Sequence, residues 1–250
     1  MTQVAAGLAK EGYNVFTYSI GNFPTLRCME QIRYDVCYHN LNVKIVAVGS
    51  GYAYGSLGVS HHTTEDISMI RSIPNIKICS PGDPIEAKAA AKFMSKLKGP
   101  GYIRLNKSGE NIVHSKNHDI KDGKYIEVLK GSKIAILSTG SVLHQNLEEI
   151  RSMKQYWGLY SFPIIGKYNQ KLLIKLLSLY DMLITVEEHQ LNGGFGSSII
   201  ESFNEMYSKG IIKKFPKIKT LGIPNKFISC SGNQDYLRKL AGITLKSIKK

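Results

Sequence analysis

Two adjacent histidines are the first chemical feature of this sequence. In Gly58-Val59-Ser60-His61-His62-Thr63-Thr64-Glu65-Asp66 they follow a glycine-rich stretch and precede a short helical segment. Neutral imidazole moves protons near pH 7, and open α/β sheets place ligands where the C-terminal end of a strand meets such a loop. His61 and His62 are therefore candidate catalytic residues. The plainer alternative is that one of them caps the helix or bonds the backbone. No metal site is expected, since adjacent histidines on one loop rarely reach the same ion and no further ligand set accompanies them.

Three other segments put polar chemistry at strand ends. Arg104 and Lys107 follow an apolar run, where basic side chains are natural anchors for a phosphorylated substrate; a solvated exit loop has the same composition. Glu187-Glu188-His189 ends another run and precedes Gly193-Gly194-Phe195-Gly196. Tight packing of a helix start against a sheet explains that combination better than catalysis does. Gly49-Ser50-Gly51-Tyr52-Ala53-Tyr54-Gly55 approaches a dinucleotide fingerprint. Its third glycine comes one position late, no helix opens there, and no acidic residue follows at a strand end about 20 residues on. Those glycines read as turn-formers or as points of close backbone approach.

The elements that must position these residues follow an alternating pattern. Short apolar runs alternate with stretches of helical period, the signature of βαβ units and largely parallel sheets. Helices are expected over 2–10, 24–38, 64–71 and 84–96, and strands over 14–18, 43–48, 75–79 and 101–105. From 106 to 124 the sequence is polar and aperiodic, as an interdomain linker would be. Beyond it, strands over 133–137, 182–187 and 218–222 alternate with helices over 141–153, from 193, and after Gln234. The fold class is α/β: two domains, 1–107 and 125–250, each a mostly parallel sheet with flanking helices, joined by a linker at 108–124. The chain opens inside a helix and its first domain has few strands for a covered parallel sheet. A preceding strand–helix unit is expected to be missing, leaving an apolar sheet edge that favours pairing with other chains.

Composition sets the outer bounds. A 250-residue chain with 43% hydrophobic residues can bury a sizeable core, and 23 Gly with 8 Pro is ordinary usage, which excludes disordered and collagenous classes. The net charge is +14. The densest basic stretches, Lys213, Lys214, Lys217, Lys219 and the tail Lys246, Lys249, Lys250, interleave no aromatics and fit no nucleic-acid motif. The charge points instead to phosphorylated substrates or an acidic partner subunit. Cys28, Cys37, Cys79 and Cys230 form no CxxC pair, as for reduced thiols of a cytoplasmic protein. The most apolar run, 172–186, is interrupted by Lys175 and Asp181, so no membrane span and no secretory leader is expected.

Laid end to end, these segments resemble the C-terminal half of transketolase-type thiamine diphosphate enzymes, above all the separately encoded C-terminal section of split transketolases. The resemblance is carried by Ala5-Ala6-Gly7-Leu8-Ala9, by Phe23 through Arg27 to Glu30-Gln31-Ile32-Arg33, and by Gly58-Val59-Ser60-His61-His62. Further blocks are Glu65-Asp66-Ile67, Arg71-Ser72-Ile73-Pro74-Asn75, Ser80-Pro81-Gly82-Asp83-Pro84 and Thr185-Val186-Glu187-Glu188-His189 with Gly193-Gly194-Phe195-Gly196. It implies a pyrimidine-binding (Pyr) domain followed by a transketolase C-terminal domain, in a subunit that helps transfer a two-carbon ketol unit between sugars or sugar phosphates. It also implies a cofactor, thiamine diphosphate, shared with an N-terminal-section transketolase subunit in an α2β2 assembly. That partner would bind the diphosphate and Mg²⁺, because the family's Gly-Asp-Gly/Asn metal motif does not occur here. Phe23 is similar to the family aromatic that stacks on the aminopyrimidine, His61 matches the histidine that faces the substrate, and Lys107 falls where many members have a phosphate-binding Arg. His62 stands where many have Gln.

The sequence also departs from the family. The glutamate that hydrogen-bonds a pyrimidine nitrogen lies, in the family, just before the segment corresponding to Met1-Thr2-Gln3-Val4, and no carboxylate here matches it. An inert, N-terminally truncated module acting only in binding or assembly is thus one alternative; a start site upstream restores the catalytic reading. Leu57 replaces an Asp that reads a donor hydroxyl, and Leu26 and Ile20 replace aromatics, which puts the usual pentose-phosphate donor in doubt and leaves room for a specialised sugar pathway. The β subunit of an oxo-acid decarboxylase component shares the two-domain plan, although the blocks fit split transketolases better.

Overall fold

The computed structural model describes residues 1–248; Lys249 and Lys250 of the basic tail lie outside the described residues. Helix α1 (Thr2–Lys10) buries Thr2, Ala5, Ala6 and Ala9, a stripe of small residues at helical spacing that lets it lie close to the sheet. It covers strands β1 (Val15–Ile20) and β2 (Val43–Val48). Between these strands the chain runs through a 3-10 turn (Leu26–Cys28), the single turn α2 (Met29–Gln31) and a π-helix (Ile32–Tyr38), where the sequence pattern predicts one continuous helix. The π-helix buries Ile32, Val36 and Cys37, a four-then-one spacing that its wider winding brings to one face. Then follow α3 (Asp66–Arg71), β3 (Lys77–Cys79), α4 (Pro84–Lys96) and β4 (Gly101–Leu105). Helix α4 starts where sequence chemistry places it: Pro84 sits at its first turn and Asp83 accepts the Glu86 N–H at 2.8 Å.

The second half holds β5 (Ile126–Leu129), β6 (Lys133–Ser138), α5 (Leu143–Ser152), β7 (Gly158–Ser161), β8 (Ile164–Ile165), α6 (Gln170–Leu179), β9 (Tyr180–Gln190), α7 (Phe195–Ser208), β10 (Ile218–Ile223) and α8 (Gln234–Leu240). The first sheet has the order β1-β2-β4-β3-β8 and the second β10-β9-β6-β7-β5. All pairings are parallel except those of β8 with β3 and of β5 with β7.

The sequence pattern misses β5, β7, β8 and α6. Strands β7 and β8 are four and two residues long, too short to show a period. Helix α6 runs straight into β9 at Leu179–Tyr180, so no turn residue marks the change. Strand β8, although it follows β7 of the second sheet, crosses to the first and extends it past β3. One hydrophobic cluster joins Ile32, Val36, Ile45 and Ile70 to Leu137, Phe162, Phe195 and Phe203, so the two sheets share a core. Among the described residues, no helix is long and apolar enough to cross a membrane.

Candidate functional site

The parallel register ends β1, β2 and β4 together at Ile20, Val48 and Leu105, and the loops that leave these ends carry most of the candidate residues. After β1 the chain turns at once, with Phe23 N–H donating to the Ile20 carbonyl at 2.9 Å. The Asn22 amide reaches across to the histidine segment, donating to the carbonyls of Ser60 (3.1 Å) and His62 (2.8 Å). This tie brings two distant side chains together: the rings of Phe23 and His61 lie 5.6 Å apart, edge to face at 72°. Both are half-buried. The Arg27 guanidinium stacks on the Phe23 ring at 4.5 Å. His61 Nδ1 pairs with Ser60 Oγ at 3.0 Å, leaving Nε2 as the nitrogen able to meet a ligand. Leu26, Val59 and Phe227 rim the cleft, and they and Leu57 are exposed.

His62 lies deeper. It is 4% exposed, with its ring edge-on to Tyr52 at 5.0 Å. Burial lowers its pKa, against the opposing pull of the Gly55 carbonyl and Glu65, so it is held neutral. It lines a cavity of about 100 Å³ with Asn22, Glu65 and Gln190. Asn22 Oδ1, His62 Nε2 and Gln190 Oε1 are buried without a hydrogen-bond partner among the described residues. Sequence reasoning missed Asn22 and Gln190. Their partners lie 38, 40 and 125 positions away, and no local signal could have found them.

The basic pair behaves differently from expectation. Arg104 is not available to a phosphate: it is 2% exposed, and its guanidinium bonds Asp66 Oδ2 (2.8 Å) and the carbonyls of Thr63 (2.8 Å) and Glu188 (3.0 Å). Residues of a parallel strand alternate faces, and the side chain at 104 points into protein rather than out past the strand end. Lys107 is exposed, but it lines a separate cleft of about 800 Å³ with Asn106, Glu110, Ser141, His144 and Arg238. Burial pushes the Glu110 carboxyl up to about 7, against the bond from Asn106. The structure thus brings Phe23, His61 and His62 together and sets Lys107 on a neighbouring cleft.

Glu187, Glu188 and His189, at the end of β9, form a junction. Glu187 accepts the N–H groups of Phe195 (2.6 Å) and Gly196 (2.7 Å) at the start of α7, a favourable place for a carboxylate. Burial nonetheless drives its pKa up to about 8, with those two bonds opposing. Glu188 accepts from Tyr52 N–H (2.7 Å), Ser141 (2.9 Å), Gln234 and Arg238 (2.8 and 2.5 Å). Gly51, at φ +59, lies so close that a Cβ would sit 2.5 Å from the Glu188 side chain. This glycine is required for the approach of the other sheet. His189 Nε2 accepts from the N–H groups of Ile67 (3.1 Å) and Ser68 (3.3 Å) in α3, while Nδ1 pairs with the Gln190 carbonyl. Burial, offset by Asp66, takes its pKa down to about 4.

The site suits a flat ring resting on Phe23, with an imidazole to meet a hydroxyl group. It does not suit a diphosphate–metal unit by itself, since among the described residues no three His, Cys, Asp or Glu side chains are grouped to hold an ion. Comparison with known proteins agrees with this division. Residues 1–110 match the family described as "Transketolase, pyrimidine binding domain", and residues 123–248 match "Transketolase, C-terminal domain". One of the two subunits of the apulose-4-phosphate transketolase of Actinobacillus succinogenes is 30% identical over 247 residues, covering 98% of this chain and 78% of that protein. The 1-deoxy-D-xylulose-5-phosphate synthase of Caldanaerobacter subterraneus subsp. tengcongensis is 32% identical over 253 residues, 99% of this chain but only 39% of that larger protein. A solved split-gene transketolase, described as an inactive β4 tetramer, superimposes with a TM-score of 0.83 at 27% identity, over 98% of this chain and 78% of that one.

Proposed function

The chain belongs to the transketolase family, carrying its pyrimidine-binding and C-terminal domains, and from that premise we propose that it is one subunit of a two-chain, thiamine diphosphate-dependent enzyme. The reaction is transfer of a two-carbon ketol unit between sugars or sugar phosphates. The partner, an N-terminal-section transketolase subunit in an α2β2 assembly, supplies the diphosphate- and Mg²⁺-binding half. Thiamine diphosphate, when bound, supplies the nucleophilic carbon and the electron sink that let a carbon–carbon bond beside a ketone break and re-form.

The residues of this chain act around that centre. Phe23 holds the pyrimidine ring by stacking, worth roughly 1 kcal/mol beyond its burial, and Arg27 fixes the Phe23 ring from its stacked position. His61, oriented by Ser60, meets a sugar hydroxyl or exchanges a proton with it. His62 stays neutral and shapes the floor. Lys107, on its adjoining cleft, binds the phosphate of a phosphorylated substrate. Four free cysteines suit a reducing compartment, and we place the pair in the cytoplasm.

The observation that carries this reading is the Phe23–His61 pair, joined across 38 residues at the C-terminal end of a parallel sheet. It is tested by mixing the chain with the N-terminal-section subunit, thiamine diphosphate and Mg²⁺, then following ketol transfer from a ketose donor to an aldose acceptor. Transfer that needs both chains and falls at least tenfold in His61→Ala supports the proposal. A mixture that neither binds the cofactor in calorimetry nor turns over would overturn it.

A further inference from the structure

Exposed large apolar side chains are concentrated at the start of the chain. Met1, Val4 and Leu8 form a stripe at helical spacing on the outer side of α1, with Tyr13, Phe16 and Tyr18 beside it, all 43–67% exposed. Strand β1 is an edge strand: among the described residues it pairs only with β2. Natural edges are protected by lysine, proline, bulges or covering loops. This one has none of those residues, for Val15-Phe16-Thr17-Tyr18-Ser19-Ile20 carries no charge and no proline. The burial pattern along β1 places Thr17 inward and Phe16 and Tyr18 on the opposite, uncovered face. Helix α4, the cover of that face, packs on Val46, Cys79 and Ile103, which belong to β2, β3 and β4.

We propose that β1 is a self-pairing edge, joining two copies of this chain into one continuous sheet about a two-fold axis. The occupant is a second copy because the strand is complementary to itself. An antiparallel pairing centred on Thr17 sets Phe16 of each copy opposite Tyr18 of the other, giving two cross-strand aromatic pairs on one face. The same axis brings the two α1 helices side by side on the other face, Val4 and Leu8 toward Val4 and Leu8. An aromatic side chain covers on the order of 150–250 Å², so the six exposed residues offer roughly 600 Å² per copy before the backbone edge is counted. A stable interface takes about 800 Å² from each partner. The pairing uses residues apart from Phe23, His61 and Lys107 and does not depend on the proposed activity.

The test is the mass of the full chain in solution and its response to two exposed positions. Sedimentation velocity is expected to give a species of twice 27.8 kDa at micromolar concentration. The dimer should tighten with added salt, which screens repulsion between two chains of charge +14. Phe16→Lys with Tyr18→Lys should leave the circular dichroism and melting curve intact and weaken the dimer at least tenfold. Amide exchange in 15–20 should accelerate at the same time. Phe16→Cys combined with Tyr18→Cys should yield an interchain disulfide on oxidation. A monomer at about 50 µM, a concentration at which an interface of standard size is saturated, overturns the proposal, and so does a dimer indifferent to the double lysine change.

Discussion

Two strand ends in this molecule look alike in sequence and differ in physics. At the end of β9, Glu187-Glu188-His189 stands beside a glycine run; between β2 and α3, His61-His62 also follows glycines. At the first, every side-chain polar atom is partnered: both Glu187 oxygens, both Glu188 oxygens and both His189 nitrogens. At the second, Asn22 Oδ1, His62 Nε2 and Gln190 Oε1 are buried and unpartnered, while Leu26, Val59 and Phe227 stand exposed above. Buried polar groups are ordinarily satisfied. A titratable cluster that is fully bonded is structural, and one left incomplete beside an apolar rim is where a ligand belongs.

Changes at the junction should therefore unfold the chain, and changes at the cleft should spare it. The largest effect is expected from Glu188→Ala, which leaves the guanidinium of Arg238 buried without its carboxylate and frees the Tyr52 N–H. Urea denaturation should show a loss of about 3–5 kcal/mol, and a loss below about 1 kcal/mol would erase the distinction. Next comes pH. His189 has a folded pKa near 4, below its unfolded value of 6.5, so its contribution is complete above about pH 6.5 and is lost as pH falls toward 4. The decline amounts to at most about 3 kcal/mol. Melting temperatures between about pH 4.5 and 7.5, the window that spans most of this titration, should fall less steeply in His189→Gln than in the native chain. Arg104→Lys should follow, at roughly 2 kcal/mol, because an ammonium cannot reproduce the three directed bonds of the guanidinium. Smallest of all is the cleft: His61→Ala and Leu57→Asp should each change stability by no more than about 0.5 kcal/mol. His61→Ala nevertheless abolishes most transfer by the assembled pair, and a stability loss there equal to that of Glu188→Ala would contradict the contrast.

Much of the frame is legible in the sequence because its causes are local. Strand β2 is buried at all six positions and reads as an unbroken apolar run. Helix α4 announces itself by Asp83-Pro84. Helix α7 shows Phe195, Ile199, Phe203 and Met206 at helical spacing, all of them buried. What escapes has a remote cause. Strand β8 exists because Ile164 and Ile165 find the open side of β3. Lys44, the second residue of a buried strand, is 0% exposed and survives there by bonding the Asn42 side chain and the Gly99 carbonyl; burial takes its pKa down to about 8.

The same division holds at the site. Residue types and spacing alone placed Phe23, His61, His62, Arg104 and Lys107 at strand ends, because alternation and glycine breaks are properties of neighbouring residues. Only the tertiary structure decided which of them share a cleft. It joined Phe23 to His61 through Asn22, gave Arg104 to Asp66, and moved Lys107 to the wider opening beside α8. Such choices depend on which face of each strand meets which loop, a matter of register and packing across tens of residues that no local pattern records.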